Sequence, residues 1–210
     1  MSDMALRAAI GLRAQRGRAL AVGVTVRDGE PQILVSSVIE TGAPGDRLSL
    51  EPYRAAAEMP RDPRGKASAD AAAAVAEGRR RQDRIAAESL KGIVRKLKGA
   101  ADRPAVAALL VNRAGWVTDL LEYSLAWPEH AAVADGLAVR EALRFACGEC
   151  GLEVIELDEK SLPQVAAKAL DLSPDQIDAR LKALGAVAKP WRKEQKLACL
   201  AAWVAIAGRS

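Results

Sequence analysis

Five cations share one face of a predicted long helix in the middle of this chain. At about 100° per residue they fall within about 60° of one another, and they are Arg80, Arg84, Lys91, Arg95 and Lys98. Residues 79–98 contain eight Lys or Arg residues against two acids, and cations without acidic partners bind a phosphate backbone by releasing its counterions. The alternative is a solvated helix face. Since the helix has no aromatic residue for base stacking, nucleic-acid binding here would be to a duplex or directed at the backbone, and it would be sensitive to salt.

Two other groups of residues are of types that support catalysis or metal binding. Residues 147–150 read Cys-Gly-Glu-Cys, but this motif ends a predicted helix and has no second cysteine pair. It therefore predicts two buried thiols rather than a zinc or redox site. His130, the only histidine, is predicted to start a helix and to pair with Asp135 or Glu129. Without a marked Ser or Cys nucleophile, the sequence supports no catalytic triad.

Four acids in the second half of the chain offer the oxygen ligands that divalent metals prefer. They are Asp119, Glu122, Glu156 and Asp158. They lie on separate predicted elements, and nothing in the sequence brings them together. A metal site built from them is therefore the least supported interpretation, and the sequence predicts no cofactor.

The composition is that of a globular protein with a mildly basic charge balance. The chain has 210 residues, 50% of them hydrophobic, and a formal net charge of +4, which permits a polyanionic partner without requiring one. The first residues do not form a secretory signal, and the longest apolar tract, residues 197–208, is shorter than the roughly 20 residues of a membrane span. Three cysteines, an odd number, are typical of a reducing compartment. We therefore predict a cytoplasmic protein with no membrane partner.

The elements that position these residues begin with three strands. The apolar run at residues 8–13 predicts a central strand that leads into Arg13, and the alternation of residues 20–26 predicts a second strand. The Asp-Gly pair at 28–29 favours a tight hairpin turn before a third strand at residues 32–40. The Pro- and Gly-rich segment 42–67 then predicts an irregular surface connection with one short helix at 54–58.

The rest of the chain alternates helices with two further strands. The helix at 69–98 is predicted to pack through the apolar face that is opposite the cations. Further helices are predicted at about 116–127, 129–150, 161–170, 173–184 and 192–207, around a buried strand at 106–111 and a short strand at 152–156. The sequence thus predicts one α/β domain over residues 1–210. Its five-stranded mixed sheet combines an antiparallel three-strand meander with two parallel strands, and helices cover both faces.

Three segments in this order of elements resemble the ribonuclease H-like superfamily, most closely the RuvC-type Holliday junction resolvases. Residues 10–13, Ile-Gly-Leu-Arg, resemble the first-strand motif that leads into a catalytic Asp in that family. Residues 134–154 are similar to the small-residue helix that enters the fifth strand, and residues 193–201 resemble the final helix with its acidic pair. The resemblance implies phosphodiester cleavage by divalent metals that carboxylates hold.

The residues at the family's acidic positions cannot hold such metals. The first-strand acid falls on Arg13, the fourth-strand acid on Asn112 or Arg113, and the final-helix acids on Lys193 and Lys196. Residues 4–27 and 104–116 contain no Asp or Glu at all, so no shift of alignment supplies one. Because a cationic pocket repels Mg²⁺, we predict a degenerate nuclease fold without the metal-dependent activity.

Two functions of different classes follow from this substitution pattern. The first is a noncatalytic RuvC-like domain that binds duplex or branched DNA through the basic helix and the substituted pocket. The second is a structural or protein-interaction module in which internal acids neutralise the pocket. A phosphate against Arg13 favours the first, and an internal Asp or Glu favours the second. A metal-dependent nuclease with a relocated site is the third alternative.

Overall fold

A five-stranded mixed sheet lies at the centre of the computed structural model, which describes residues 8–97, 106–112 and 117–208. In chain order the strands are β1 (Ala8–Gln15), β2 (Arg18–Arg27), β3 (Glu30–Glu40), β4 (Val106–Val111) and β5 (Glu153–Asp158). They lie in the order β3-β2-β1-β4-β5. The first three are antiparallel neighbours, whereas β4 pairs parallel with both β1 and β5. The predicted meander with two added parallel strands is confirmed, and β1 is the central strand.

Helices cover the two faces of this sheet. Those that the structure describes are α1 (Arg47–Leu50), α2 (Pro52–Ala57), α3 (Ala69–Leu97), α4 (Leu120–Ala126), α5 (Ala131–Glu149), α6 (Leu162–Leu170), α7 (Pro174–Leu184) and α8 (Lys193–Ala207). A 3₁₀ turn at Pro128–His130 connects α4 to α5. None of the described helices is long and apolar enough to cross a membrane.

Local sequence signals set several of these boundaries. In the β2–β3 hairpin, Asp28 and Gly29 have φ values of 54° and 80°, the left-handed conformation that an Asp-Gly turn needs. Ser173 caps α7, since its hydroxyl accepts a hydrogen bond from the Gln176 backbone N–H at 3.3 Å. The Gln176 side chain accepts in return from the Ser173 backbone N–H at 2.8 Å, which completes a capping box.

Two hydrophobic cores lie on opposite faces of the sheet. The face covered by α3 and α5 includes Ile10 and Leu12 of β1, and α3 packs on it through the predicted apolar residues Ala86, Leu90, Ile93 and Leu97. The other face, covered by α6, α7 and α8, includes Ala9 of β1. Since successive side chains of a strand point to opposite faces, Gly11 and Arg13 belong to the α8 face.

A third, smaller core corrects the prediction of a surface connection at residues 42–67. The predicted short helix at 54–58 is present as α2, and α1 is an additional helix. In α2 the exposed fractions of Tyr53 and Ala56 are only 3% and 0%. These residues pack with the first halves of α3 and α5. Pro52 suggests a break in the sequence, yet it begins α2, because proline is favoured in the first turn of a helix.

This third core lies beyond the carboxyl end of β4. Arg140 of α5 contacts Asn112, the residue that follows β4, and the part of α5 before Arg140 packs in the third core. A second difference from prediction is that β5 continues to Asp158 rather than ending at 156. Both differences place additional residues at the carboxyl end of the sheet.

Candidate functional site

Arg13 lies near the carboxyl end of the central strand, where β1 and β4 run side by side. It is in register with Leu20 of β2 and Leu110 of β4. Two residues earlier, α8 packs directly on the backbone of β1, because a Cβ atom at Gly11 would lie 1.7 Å from the Ala198 carbonyl oxygen. The small residue in the first-strand motif therefore permits close contact between β1 and α8. Arg13 follows on the same face.

The guanidinium of Arg13 is occupied by an internal carboxylate. Its Nε donates to Oε2 of Glu159 at 3.0 Å, and its Nη2 donates to Oε1 at 2.9 Å. The two side chains are 25% and 26% exposed. In the strand order β1-β4-β5, this two-bond ion pair links strands that are two positions apart. It therefore passes across the end of β4, and a bidentate geometry makes it one of the stronger kinds of ion pair.

The end of β5 holds Glu159 in place. The Glu159 backbone N–H donates to the Val111 carbonyl at 2.9 Å, which extends the β4–β5 pairing by one residue. The Asp158 carboxylate then accepts from the backbone N–H groups of Lys160 and Ser161 at 3.1 and 2.9 Å. The sequence prediction did not include Glu159, because it ended the fifth strand at residue 156 and so left Glu159 outside the sheet. The available signal was the three acids at positions 156, 158 and 159.

Asn112 is engaged by a second arginine. Its side-chain oxygen accepts from Nη2 of Arg140, and its backbone carbonyl accepts from Nη1 at 3.4 Å. The Nε atom of Arg140 is buried and has no hydrogen-bond partner among the described residues. Burial lowers the pKa of Arg140, and so does the charge of Arg144, whereas Glu159 and Glu156 raise it. Arg113, the alternative fourth-strand position, lies outside the described residues.

Arg144 completes an arrangement of alternating charges at this end of the sheet. It lies one helical turn after Arg140 and donates to Glu156 of β5 at 2.6 Å. It also contacts Glu141. The group therefore contains three arginines and three glutamates, namely Arg13, Arg140, Arg144, Glu141, Glu156 and Glu159. Counted over the described residues named here, its formal charge is zero, so it differs from the purely cationic pocket that the sequence predicts.

The two lysines of the final helix have separate surroundings. Lys193 is the first residue of α8 and is exposed, and Lys196 is partly buried. The Nζ atom of Lys196 lies 4.0 Å from Oδ1 of Asp178 in α7. Thus Arg13 and Asn112 come together at adjacent strand ends, while Lys196 pairs with a residue of the neighbouring helix.

The four acids considered for a relocated metal site have individual structural roles. Asp119 caps α4 by accepting from the Leu121 and Glu122 backbone N–H groups. Glu122 accepts from the Ala67 backbone N–H at 3.1 Å, and Glu156 and Asp158 have the contacts given above. In the part of the chain that the structure describes, no three His, Cys, Asp or Glu residues are grouped so as to hold a metal ion.

The predicted cationic face of α3 is exposed. Arg80, Arg84, Lys91 and Arg95 all lie on the surface, and Lys98 lies outside the described residues. Arg80 contacts Glu77, and Lys91 lies 3.3 Å from a carboxylate oxygen of Glu149. Within residues 8–97, 106–112 and 117–208, Arg84 and Arg95 have no carboxylate partner. As far as the described residues show, their charges are not compensated by a carboxylate and are available to attract an anion.

The two remaining sequence candidates are structural. Cys147 and Cys150 are buried and not joined by a disulfide, as predicted, and burial raises the pKa of Cys147 to about 12. His130 precedes α5 as a helix-start residue, but its contacts differ from the predicted ones. Its Nδ1 atom lies 3.1 Å from the Tyr123 hydroxyl, so the histidine pairs with an aromatic residue of α4 rather than with Asp135 or Glu129.

Comparison with known proteins identifies the fold. No family model matches this chain, and no curated protein matches its sequence. The structure is similar to that of Thermus thermophilus RuvC, with a TM-score of 0.53 and 12% identity over 96% of this chain and 95% of that one. It is also similar to T. thermophilus RuvC solved in complex with a Holliday junction substrate, with a TM-score of 0.50 and 12% identity over 94% and 91% of the two chains. At this identity, the likeness establishes a fold and nothing finer.

Proposed function

We propose that this chain, which has a ribonuclease H-like fold of the RuvC type, is a noncatalytic domain that binds duplex or branched DNA through the cationic face of α3. The observation that carries the proposal is the exposure of Arg84 and Arg95 without carboxylate partners in the described residues. Unpaired cations at helical spacing can follow a phosphate backbone. The structural neighbour in complex with a Holliday junction gives the fold a precedent for DNA.

The absence of metal-dependent cleavage is part of the proposal. At the family's acidic positions the sequence has Arg13, Asn112 or Arg113, Lys193 and Lys196. A divalent metal at this place needs hard anionic oxygen ligands. Glu159 is an acid at the carboxyl end of the sheet, where the family's metal site would lie, but both of its oxygens accept hydrogen bonds from Arg13. Its charge is thereby compensated by a cation of the protein itself.

A charge-reversal experiment tests the DNA-binding proposal. We expect the wild-type chain to bind a labelled DNA duplex with an affinity that falls as salt rises, and Arg84→Glu/Arg95→Glu to lower that affinity by at least about tenfold. The salt slope should fall by about one for each phosphate that the variant no longer neutralises. Fluorescence anisotropy over a range of salt concentrations measures both quantities.

The matched control places the same change of charge elsewhere. Arg27 at the end of β2 and Lys168 in α6 are also exposed, so Arg27→Glu/Lys168→Glu alters net charge equally without touching α3. If both double variants weaken binding to the same degree, the α3 face has no special role. If the wild-type chain does not bind duplex or junction DNA even at low salt, the proposal is wrong.

A second function, a structural or protein-interaction module, is favoured by the Arg13–Glu159 ion pair. An internal acid against Arg13 is the arrangement expected if the former site has become part of the scaffold. Under this alternative, the variant Arg84→Glu/Arg95→Glu keeps its function in the cell, whereas variants that break the Arg13–Glu159 ion pair lose function. A complementation assay with both kinds of variant separates the two functions.

A further inference from the structure

Three rings lie together on the surface next to the third core. Tyr123 in α4, Trp127 at the end of α4 and His130 in the following 3₁₀ turn form what we call the aromatic corner. The imidazole centroid lies 6.0 Å from that of Tyr123 and 6.2 Å from that of Trp127, with interplanar angles of 28° and 23°. The imidazole plane is therefore roughly parallel to each of the other two rings.

Trp127 leaves more than half of its surface in solvent. Its exposed fraction is 54%, the highest of any tryptophan or phenylalanine that the structure describes. Exposing so large an apolar ring to water is unfavourable in free energy, and burying the ring against a partner would remove this cost. In a chain with only 3% aromatic residues, an exposed indole beside two other rings is a feature that a binding partner would explain.

Hydrogen bonds hold the aromatic corner in a defined geometry. The Tyr123 hydroxyl and Nδ1 of His130 are 3.1 Å apart, which fixes the relative orientation of these two rings. Asp119 caps the beginning of α4, and the Trp127 backbone N–H donates to the Tyr123 carbonyl at 2.9 Å at its end. Because the Tyr123 and His130 side chains are already joined by a hydrogen bond, binding a partner costs less side-chain entropy than it would for two unconstrained rings.

A guanidinium lies beside the aromatic corner. Arg61 donates to the Leu125 carbonyl, two residues before Trp127, and to the Gly65 carbonyl at 3.3 Å. It has no carboxylate partner among the described residues. Of the nearby acids, Glu122 pairs with Lys66 and Asp62 accepts from backbone N–H groups of its own loop, while Glu129 is exposed. Among the described residues, Arg61 is thus a cation without a carboxylate partner near the end of α4, and Glu129 is an exposed acid on the same segment.

We propose that the aromatic corner stacks an unpaired nucleobase, with Arg61 beside it for the adjoining phosphate. An exposed flat ring together with a cation is the combination that single-stranded nucleic acid requires, because every base has a π-face and every nucleotide a charge. This inference rests on the proposed DNA binding and narrows it. The preferred substrate is duplex DNA that contains unpaired nucleotides, with α3 contacting the paired part and the aromatic corner the unpaired part.

The test compares two DNA probes and three variants. One probe is a fully paired duplex, and the other is the same duplex with a central bulge of unpaired thymidines. We expect the wild-type chain to prefer the bulged probe, and Trp127→Ala to lower its affinity for that probe by roughly tenfold while leaving the paired probe unchanged. Trp127→Phe, which keeps a ring, should retain most of the preference. Phe145→Ala is the control, since Phe145 on α5 is also exposed, at 47%.

The possible outcomes distinguish a failure of this inference from a failure of the proposed DNA binding by α3. If the wild-type chain binds both probes equally, or if Trp127→Ala keeps the preference, the aromatic corner does not stack a base although α3 still binds DNA. If Phe145→Ala has the same effect as Trp127→Ala, the loss is nonspecific and the inference is wrong. If neither probe is bound at low salt, both the DNA-binding proposal and this inference fail. Circular dichroism of each variant checks that the fold is retained.

Discussion

The two arginine-rich regions of this molecule differ in how their charges are balanced. At the carboxyl end of the sheet, Arg13 and Arg144 have carboxylate partners within the chain. On α3, Arg84 and Arg95 are exposed without such partners in the described residues. The first arrangement stabilises the scaffold, whereas the second leaves a field that can attract a polyanion. A count of cations therefore does not separate the two regions, whereas the pairing of the cations in three dimensions does.

The largest difference between the regions should appear when a methyl group is added to a glycine in each. Gly11→Ala would place Cβ 1.7 Å from the Ala198 carbonyl, so that α8 must move away from β1, and we expect a loss of about 3 kcal/mol or more. At Gly92 on α3 a new Cβ meets nothing within 4 Å. Gly92→Ala should gain about 0.5–1 kcal/mol from helix propensity. Chemical denaturation measures both, and equal effects would contradict the close approach of α8 to β1.

The next largest effect should be a dependence of the free energy of unfolding on pH, which arises beyond the carboxyl end of the sheet. Asp135 of α5 is buried and accepts from the Tyr53 backbone N–H at 2.9 Å, and burial raises its pKa from 3.8 to about 6. The folded state then binds the proton more tightly than the unfolded state. The contribution of Asp135 to stability therefore falls as pH rises from 3.8 to about 6, and the loss is complete above that.

Asp135→Asn removes this dependence while keeping an oxygen acceptor for Tyr53. Relative to the wild type, its free energy of unfolding should rise by about 2–3 kcal/mol between about pH 4 and pH 7. Asp28→Asn in the exposed hairpin is the control for the chemical change itself, because Asn tolerates the same turn conformation. Unfolding curves at several pH values test this, and a difference for Asp135→Asn that stays constant with pH would rule it out.

A smaller effect is expected from the ion pairs of the two regions. A double-mutant cycle with Arg13→Met and Glu159→Gln should give a coupling of about 1–2 kcal/mol, because the pair is bidentate and partly buried. The same cycle for Lys91 and Glu149, whose side chains are both 49% exposed, should give less than about 0.5 kcal/mol. Similar values for the two pairs would show that the Arg13–Glu159 ion pair contributes no more than a surface pair.

The smallest effect should come from truncating the free cations of α3. Arg84→Ala/Arg95→Ala is expected to change the free energy of unfolding by no more than about 0.5 kcal/mol, since the side chains lie in solvent. The variant should nevertheless weaken DNA binding. A substantial loss of stability, measured by thermal or chemical unfolding, would mean that this face packs against a part of the protein and is not free for a partner.

Most of the fold could be predicted from the sequence, because its elements have regular patterns. The apolar run of β4, the alternation in β2 and the two faces of α3 each follow a period that the backbone imposes. The short helix α1 could not be recognised in the same way, and α2 was predicted only as a short helix at 54–58 within an irregular segment. They have no repeating pattern, and the burial of Tyr53 depends on the first halves of α3 and α5, which are distant in sequence.

The candidate site was predictable only in part. Reading the chain shows that Arg13 ends an apolar run and that residues 4–27 and 104–116 contain no acid. Only folding brings this arginine to Glu159, 146 positions away in the chain, because their contact requires the strand order β1-β4-β5, which the sequence around neither residue encodes.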